Sequence, residues 1–301
     1  MIANSFMVSM RRIIASVGLL VCLPSLVFSA QPSFEAPVRP TEILTRADDY
    51  RAAYLGRIEE VHDWISNRID PDNLAGTMSM ASITVKLVRG ENIDLCNRRT
   101  IELMEDPRTG PFWMFPVTMV AFAGRDLLSE EARHSIRETW RTTRQLRGDT
   151  ENHWVMYYVS LYLMSELYPD EAGDTWYTGR SSTENLEEAR EWILDWMDIT
   201  TTVGQGEYNP SHYIGEYAIA MLMLASWAED RAMRQRGQMM LDWIFAELAT
   251  VTLDGVVRGP NSRTGESSVA ERWNALASSL SWILFGNTPP TVNYGGWGMY
   301  F

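Results

Sequence analysis

Two polar segments of this chain place side chains that bind anions and move protons directly before apolar, aromatic-rich runs. The first holds Asn152 and His153, with Tyr157 one helical turn later. Asp149 or Thr150 can cap a helix whose first turn then carries the amide and the imidazole. Free N–H groups and the positive end of the helix dipole favour an anion at such a position. The segment therefore predicts an anion-binding site, although it also fits a well-capped helix with a half-buried histidine.

The second segment, residues 204–217, combines glycines and a proline with a dense set of polar side chains. The candidates for binding or catalysis in it are Glu207, Tyr208, Ser211, His212 and Tyr213. Glycines allow a backbone to approach a ligand closely, and polar groups on a loop held by rigid helices are a common functional arrangement. The alternative is structural, with Ser211 capping the next helix and Tyr213 and Tyr217 packing into the core.

A third polar segment, residues 253–266, carries Arg258 and Arg263 among residues that favour a compact backbone. A guanidinium group binds a carboxylate in a two-pronged geometry, so either arginine can serve an acidic ligand. We prefer Arg263, which lies between Ser262 and Thr264. The segment also fits a solvated turn.

Helices must position these three segments, because apolar residues recur with helical spacing through most of the chain. The predicted helices lie near 42–68, 77–88, 94–104, 112–124, 129–145, 152–168, 183–199, 212–229, 231–248 and 268–285. We expect no strands before the C-terminal tail.

Short connectors make neighbouring helices antiparallel. The runs 152–168 and 212–229 are nearly free of charge and are predicted to lie inside, whereas 129–145 and 183–199 are rich in charge and are predicted to lie outside. The sequence thus predicts an all-α fold of about ten helices, arranged as hairpins in a complete or incomplete (α/α) toroid. A looser helical bundle would fit the same periodicity.

Composition excludes several classes of partner and cofactor. The 301 residues are 46% hydrophobic, which suffices for a large core, and the net charge of −13 with no basic cluster argues against nucleic acid. The four histidines lack metal-ligand spacing, and the chain has no cysteine cluster. We therefore predict no metal and no cofactor.

The first thirty residues resemble a signal peptide. Arg11 and Arg12 precede the apolar run 13–28, which is short for a membrane span, and small residues follow. We expect a signal peptide over 1–30, export to the periplasm or the medium, and no membrane span after cleavage. An extended lead-in (31–41), the helical domain (42–287) and an irregular tail (288–301) complete the predicted organisation.

Taken together, the Asn152-His153 pair before an aromatic helix, the tyrosine-bearing loop and the arginine-bearing loop resemble α/α-toroid polysaccharide lyases of the alginate lyase and heparinase type. The resemblance implies a catalytic domain that cleaves an acidic polysaccharide by β-elimination. It implies that Asn152 and His153 neutralise the uronate carboxylate with help from Arg263 or Arg258. Tyr213, or else Tyr208, would act as base and acid.

Two other functions fit the same residues. An α/α-toroid glycoside hydrolase would use a carboxylate pair, either Glu207 with Glu216 or Glu151 with Glu207. A non-catalytic carbohydrate-binding protein would use the same polar loops and aromatic residues without cleaving the chain.

Overall fold

The computed structural model describes residues 46–67, 79–253, 256–263 and 275–286. Within these ranges 72% of residues are helical, in ten α-helices and one 3-10 turn at Gly173–Thr175. The helices are α1 (Ala47–Asn67), α2 (Met80–Arg89), α3 (Ile93–Glu105), α4 (Pro111–Ala123), α5 (Glu130–Thr142), α6 (Glu151–Leu167), α7 (Ser182–Thr202), α8 (Ile214–Trp227), α9 (Arg231–Val251) and α10 (Leu276–Phe285).

Several helices begin at side chains that satisfy the free N–H groups of the first turn. Ser129 accepts a hydrogen bond at the start of α5, and Asp230 does the same for α9. Helix α7 begins with a full capping box, in which Ser181 and Glu184 each accept a backbone N–H of the other. A cap of this kind is typically worth about 1 kcal/mol, so these starts are encoded locally.

Apolar helices lie side by side in the interior. Helix α4 has no charged residue and α8 has one, and both are buried along most of their length, as is α6. In space α2 contacts α4, α4 contacts α6, α6 contacts α8, and α8 contacts α10. Helices α5, α7 and α9 pack outside them and expose their charged faces. The predicted assignment of inner and outer helices is therefore confirmed by burial.

Helices α4, α6 and α8 run parallel to one another, because their matching ends meet. At the N-terminal ends of α4 and α6, the rings of Phe112 and His153 lie 5.2 Å apart. At the C-terminal ends of α4 and α8, Phe122 and Trp227 stack with ring centroids 5.3 Å apart. The starts of α6 and α8 thus open on the same face.

Helix α1 connects the two ends of this series. It packs against both α2 and α10, and the three helices share a small apolar cluster that includes Val61, Val85 and Trp282. The Nε of Arg57 donates a hydrogen bond to the carbonyl of Ile283 at 2.8 Å. Each inner helix from α2 to α10 therefore has a neighbour on both sides, α1 being shared by the two ends.

The predicted all-α class is confirmed for the described residues, and the toroid stays a prediction. The expectation of no strands before the tail is wrong for one short pair. Strand β1 (Thr252–Leu253) pairs antiparallel with β2 (Val256–Val257), with Thr252 opposite Val257. Strands of two residues are too short to show alternation, although the Asp254-Gly255 dipeptide between them is typical of hairpin turns.

The predicted signal peptide (1–30), lead-in (31–41) and tail (288–301) lie outside the described residues. In the part of the chain that the structure describes, no helix is both long and apolar enough to cross a bilayer.

A pair of glycine substitutions tests the packing of outer on inner helices. A Cβ added at Gly237 of α9 would lie 2.9 Å from the backbone oxygen of Met221 and 2.9 Å from the backbone nitrogen of Ala225, both in α8. Gly237→Ala should therefore lower the free energy of unfolding by about 1–3 kcal/mol despite the better helix propensity of alanine. Denaturant unfolding measures the change.

Gly56→Ala is the matched control, because Gly56 is an exposed α1 residue whose added Cβ would meet nothing within 4 Å. It should stabilise the protein by up to about 1 kcal/mol through helix propensity alone. Equal effects of the two substitutions would contradict the close contact of α9 with α8.

Candidate functional site

The loop between α7 and α8 is held against the start of α6 by two reciprocal contacts. The Glu207 carboxylate accepts hydrogen bonds from the side-chain amide of Asn152 at 2.6 Å and from its backbone N–H at 3.3 Å. The backbone N–H of Glu207 in turn donates to the Glu151 carboxylate at 2.6 Å. The indole N–H of Trp196 donates to the other oxygen of Glu151 at 2.8 Å. Helix and loop therefore fix each other.

These contacts correct the predicted cap of α6. Thr150 has the backbone geometry of a cap, yet its side chain accepts no hydrogen bond from the first turn. The acceptor is instead Glu207, which receives the N–H of Asn152 from 55 residues away along the chain. A local sequence pattern cannot reveal a cap from so distant a residue.

Glu207 also binds two further groups from other elements. The Tyr217 hydroxyl of α8 donates to its Oε2 at 3.2 Å, and the guanidinium of Arg263 pairs with its Oε1. Glu207 is only 9% exposed. A carboxylate so deeply buried needs compensating donors, and this one has four.

Arg263 reaches from this buried pair to the surface. Its side chain is 43% exposed, and its guanidinium carbon lies 5.3 Å from the ring centroid of Tyr213. The neighbouring Ser262 donates its backbone N–H to the carbonyl of Tyr208 at 2.8 Å, which ties the two loops together. Arg263 itself has a positive φ of 54°, a conformation that is unfavourable for a side chain of this size.

His153 lies at the rim of the same cluster, edge-on to Phe112 and partly open to solvent. Burial lowers its pKa below the usual value of 6.5, opposed by the carboxylates of Asp149 and Glu207 and assisted by Arg263. This shift favours the neutral imidazole at pH 7. A Cβ at Gly148 would lie 2.4 Å from the Nδ1 of His153, and Gly148 has φ of 79°, so only glycine fits there.

Three of the four residues predicted as catalytic make direct contacts within one cluster. The fourth, His153, interacts electrostatically with charged residues of that cluster. Asn152 and Arg263 both bind Glu207, Tyr213 lies under Arg263, and His153 is influenced by Glu207 and Arg263. Asn152, however, is 0% exposed, and its amide donates its hydrogen bond to the buried Glu207.

The other predicted residues differ in how deeply they are buried and in the contacts that they make. Tyr208 is 38% exposed beside the cluster, and His212 is half-buried in the same loop. Ser211 is buried, and its carbonyl accepts the N–H of Ala277 at the start of α10. Arg258 is exposed, and its backbone N–H donates to Val251 at 2.8 Å. Tyr157 is buried and accepts a hydrogen bond from Tyr177, so this contact directs it to the core.

Three contributors to the cluster were not among the predicted site residues: Tyr217, Trp196 and Phe112. Each lies on a helix whose apolar spacing explains an aromatic residue as core packing. What distinguishes them from core residues is the position of one group in each: the Tyr217 hydroxyl, the Trp196 indole nitrogen and the exposed ring edge of Phe112.

Comparison with known proteins finds no matching family model, no matching curated protein and no matching solved structure.

Glu216 is a second acidic group under the cluster, and it generates a prediction about pH. It is 2% exposed, and its Oε2 has no hydrogen-bond partner among the described residues. Burial raises its pKa to about 8, and the charge of Glu207 adds to the rise. Because the folded state holds this proton more tightly than the unfolded chain, the contribution of Glu216 to stability should be fully present below about pH 4.5 and be lost progressively as the pH rises towards 8.

Glu216→Gln should remove this loss and stabilise the protein at pH 8 by on the order of 4 kcal/mol, with little change at pH 4.5. Thermal unfolding across the pH range measures it. Glu187→Gln removes a charge from an exposed position of α7 and should leave the profile as in the unmodified protein. An unchanged pH profile in Glu216→Gln would contradict the buried, protonated state.

Proposed function

We propose that the cluster around Glu207 is the active site of a polysaccharide lyase that cleaves a uronate-containing polymer by β-elimination. The observation that supports the proposal best is that a partly exposed arginine, a half-buried tyrosine and a histidine with a lowered pKa all belong to the cluster around Glu207. These are the groups that such a reaction requires: a cation for the substrate carboxylate, a proton-transfer group and a neutral hydrogen-bonding partner.

The electrostatics of this face support an acidic substrate. The N-terminal ends of α4, α6 and α8 meet there, and each contributes the positive end of a helix dipole. The carboxylates of Glu151 and Glu207 are engaged internally. Among the described residues, one terminal nitrogen of Arg263 pairs with Glu207, and a guanidinium has five N–H donors, so the group can also bind an external carboxylate.

In this mechanism Arg263 binds the uronate carboxylate, and Tyr213, in its phenolate form, removes the proton on the neighbouring carbon. The electron pair of the broken C–H bond forms a carbon–carbon double bond, and the bond to the leaving sugar oxygen breaks. Tyr213 then returns the proton to that oxygen, so no water is consumed. Negative charge develops on the carboxylate as the proton leaves, and a donor placed there accelerates the step more than it aids binding.

Asn152 takes a different part from the one that the resemblance implies. Since its side chain is buried and donates to Glu207, it does not contact the substrate directly. His153 is the neighbouring residue that faces solvent, and its neutral ring can donate one hydrogen bond to the substrate.

The hydrolase alternative is less well supported by the same geometry. A general acid must reach the glycosidic oxygen, yet Glu216 is 2% exposed. Both oxygens of Glu207 are engaged by Asn152, Tyr217 and Arg263, and both oxygens of Glu151 are engaged by Trp196 and the loop backbone.

Incubation with alginate or polygalacturonate tests the proposal. Cleavage should produce unsaturated, ultraviolet-absorbing sugar ends, because elimination leaves a double bond conjugated to the carboxylate. Tyr213→Phe should lower kcat by about a hundredfold or more, since it removes only the hydroxyl that moves the proton. Arg263→Ala should lower kcat by a similar factor.

Tyr208→Phe is the matched control, because it removes a hydroxyl from the adjacent exposed tyrosine, and it should retain most of the activity. Two results would contradict the proposal: new reducing ends without ultraviolet absorbance, or full activity of Tyr213→Phe.

A further inference from the structure

Glu207 connects three separate parts of the site through one carboxylate. Its oxygens accept hydrogen bonds from Asn152 at the start of α6, from Tyr217 in α8 and from Arg263 in the loop after β2. Of these partners, Arg263 is the one that reaches solvent. The orientation of the exposed guanidinium is therefore linked to two fully buried side chains.

The surroundings of Glu207 exclude a direct contact with a polymer. The residue is 9% exposed, and its backbone is fixed by Glu151, which is itself held by Trp196. Moving the carboxylate out to a substrate would break its hydrogen bonds to Asn152 and Tyr217 and leave buried donors without an acceptor. Glu207 therefore stays in place when the site is used.

Arg263 depends on such an anchor. A long, partly exposed arginine side chain carries about 2 kcal/mol of rotamer entropy, which has to be removed before it can hold a carboxylate in one geometry. Glu207 fixes one end of the guanidinium, and the Tyr213 ring lies against the group. The remaining N–H groups then point in a restricted set of directions.

We propose that Glu207 is a positioning residue, which aligns Arg263 over Tyr213 for catalysis and makes no contact with the substrate. The inference rests on the proposed lyase function, since it concerns the residues that would carry out that reaction. It assigns a role to a buried carboxylate whose charge would otherwise oppose the binding of an acidic polymer.

The proposal predicts different effects of a Glu207 substitution on kcat and on KM. Replacing Glu207 by glutamine keeps the size of the side chain and one acceptor oxygen but removes the charge that holds Arg263. The freed guanidinium is no longer neutralised, so binding of an acidic polymer should not weaken. Its alignment is lost, however, and a misplacement of about 1 Å can cost about a hundredfold in rate. Glu207→Gln should thus lower kcat by roughly ten- to a hundredfold with KM unchanged or lower.

The matched control is Glu247→Gln. Glu247 accepts a hydrogen bond at 3.0 Å from Gln205 in the same loop, so this change alters another tether of the loop without touching Arg263. It should leave kcat within about twofold of the unmodified enzyme. A comparable loss of kcat in Glu247→Gln would overturn the proposal, because it would mean that any loosening of the loop has the same effect.

A double variant tests whether Glu207 acts through Arg263. If it does, Glu207→Gln combined with Arg263→Ala should have the same kcat as Arg263→Ala alone. Multiplied losses in the double variant, or an unchanged kcat in Glu207→Gln, would overturn the positioning role.

Chemical modification separates failure of this inference from failure of the proposed function. Phenylglyoxal modifies accessible arginines, and peptide mass spectrometry reports the rate at Arg263 without any need for catalysis. Glu207→Gln should raise that rate several-fold while leaving it unchanged at the exposed Arg125, and Glu247→Gln should change neither. An unaltered rate at Arg263 in Glu207→Gln would overturn the inference even if the protein is a lyase. A raised rate in a protein that cleaves no uronate polymer would refute only the function.

Discussion

The geometry of the site depends on the need to satisfy one buried carboxylate. A negative charge removed from water is costly unless donors surround it, and the partners of Glu207 come from α6, α8 and the loop after β2. Because these elements are far apart in the sequence, the charge can be buried only when all of them are in place. The positions of Asn152 and Arg263 follow from that requirement.

The structure gives the acidic residues next to the predicted anion site a structural role. Glu151 and Glu207 place two negative charges beside the anion-binding site that the sequence predicts. In the folded chain their oxygens accept hydrogen bonds from Trp196, the loop backbone, Asn152, Tyr217 and Arg263. Their charges thus hold the scaffold together, and the groups at the surface are an arginine, an imidazole and two tyrosines.

The sequence predicted the helices and the segments that form the cluster, because both signals are local. Apolar spacing identifies a helix, and an unusual density of polar residues identifies a loop such as 204–217. The direction in which each side chain points could not be predicted from the sequence. Asn152 points inward to a residue 55 positions away, and Tyr157 turns towards Tyr177. The predicted cap of α6 was wrong for the same reason, since the acceptor is Glu207 and the local pattern indicated Asp149 or Thr150.

Helix α1 gives the fold a property that an open array of helical hairpins lacks. In a linear array the terminal repeat has one neighbour, so unfolding can begin at an end by breaking a single interface and spread from there. Here α1 packs against both α2 and α10, so neither end of the inner series is free. Fraying must break two interfaces at once, which couples the first and last helices into the same cooperative unit. Helix α10 in turn donates the N–H of Ala277 to the carbonyl of Ser211, so the loop between α7 and α8 is tied to a helix that α1 holds in place.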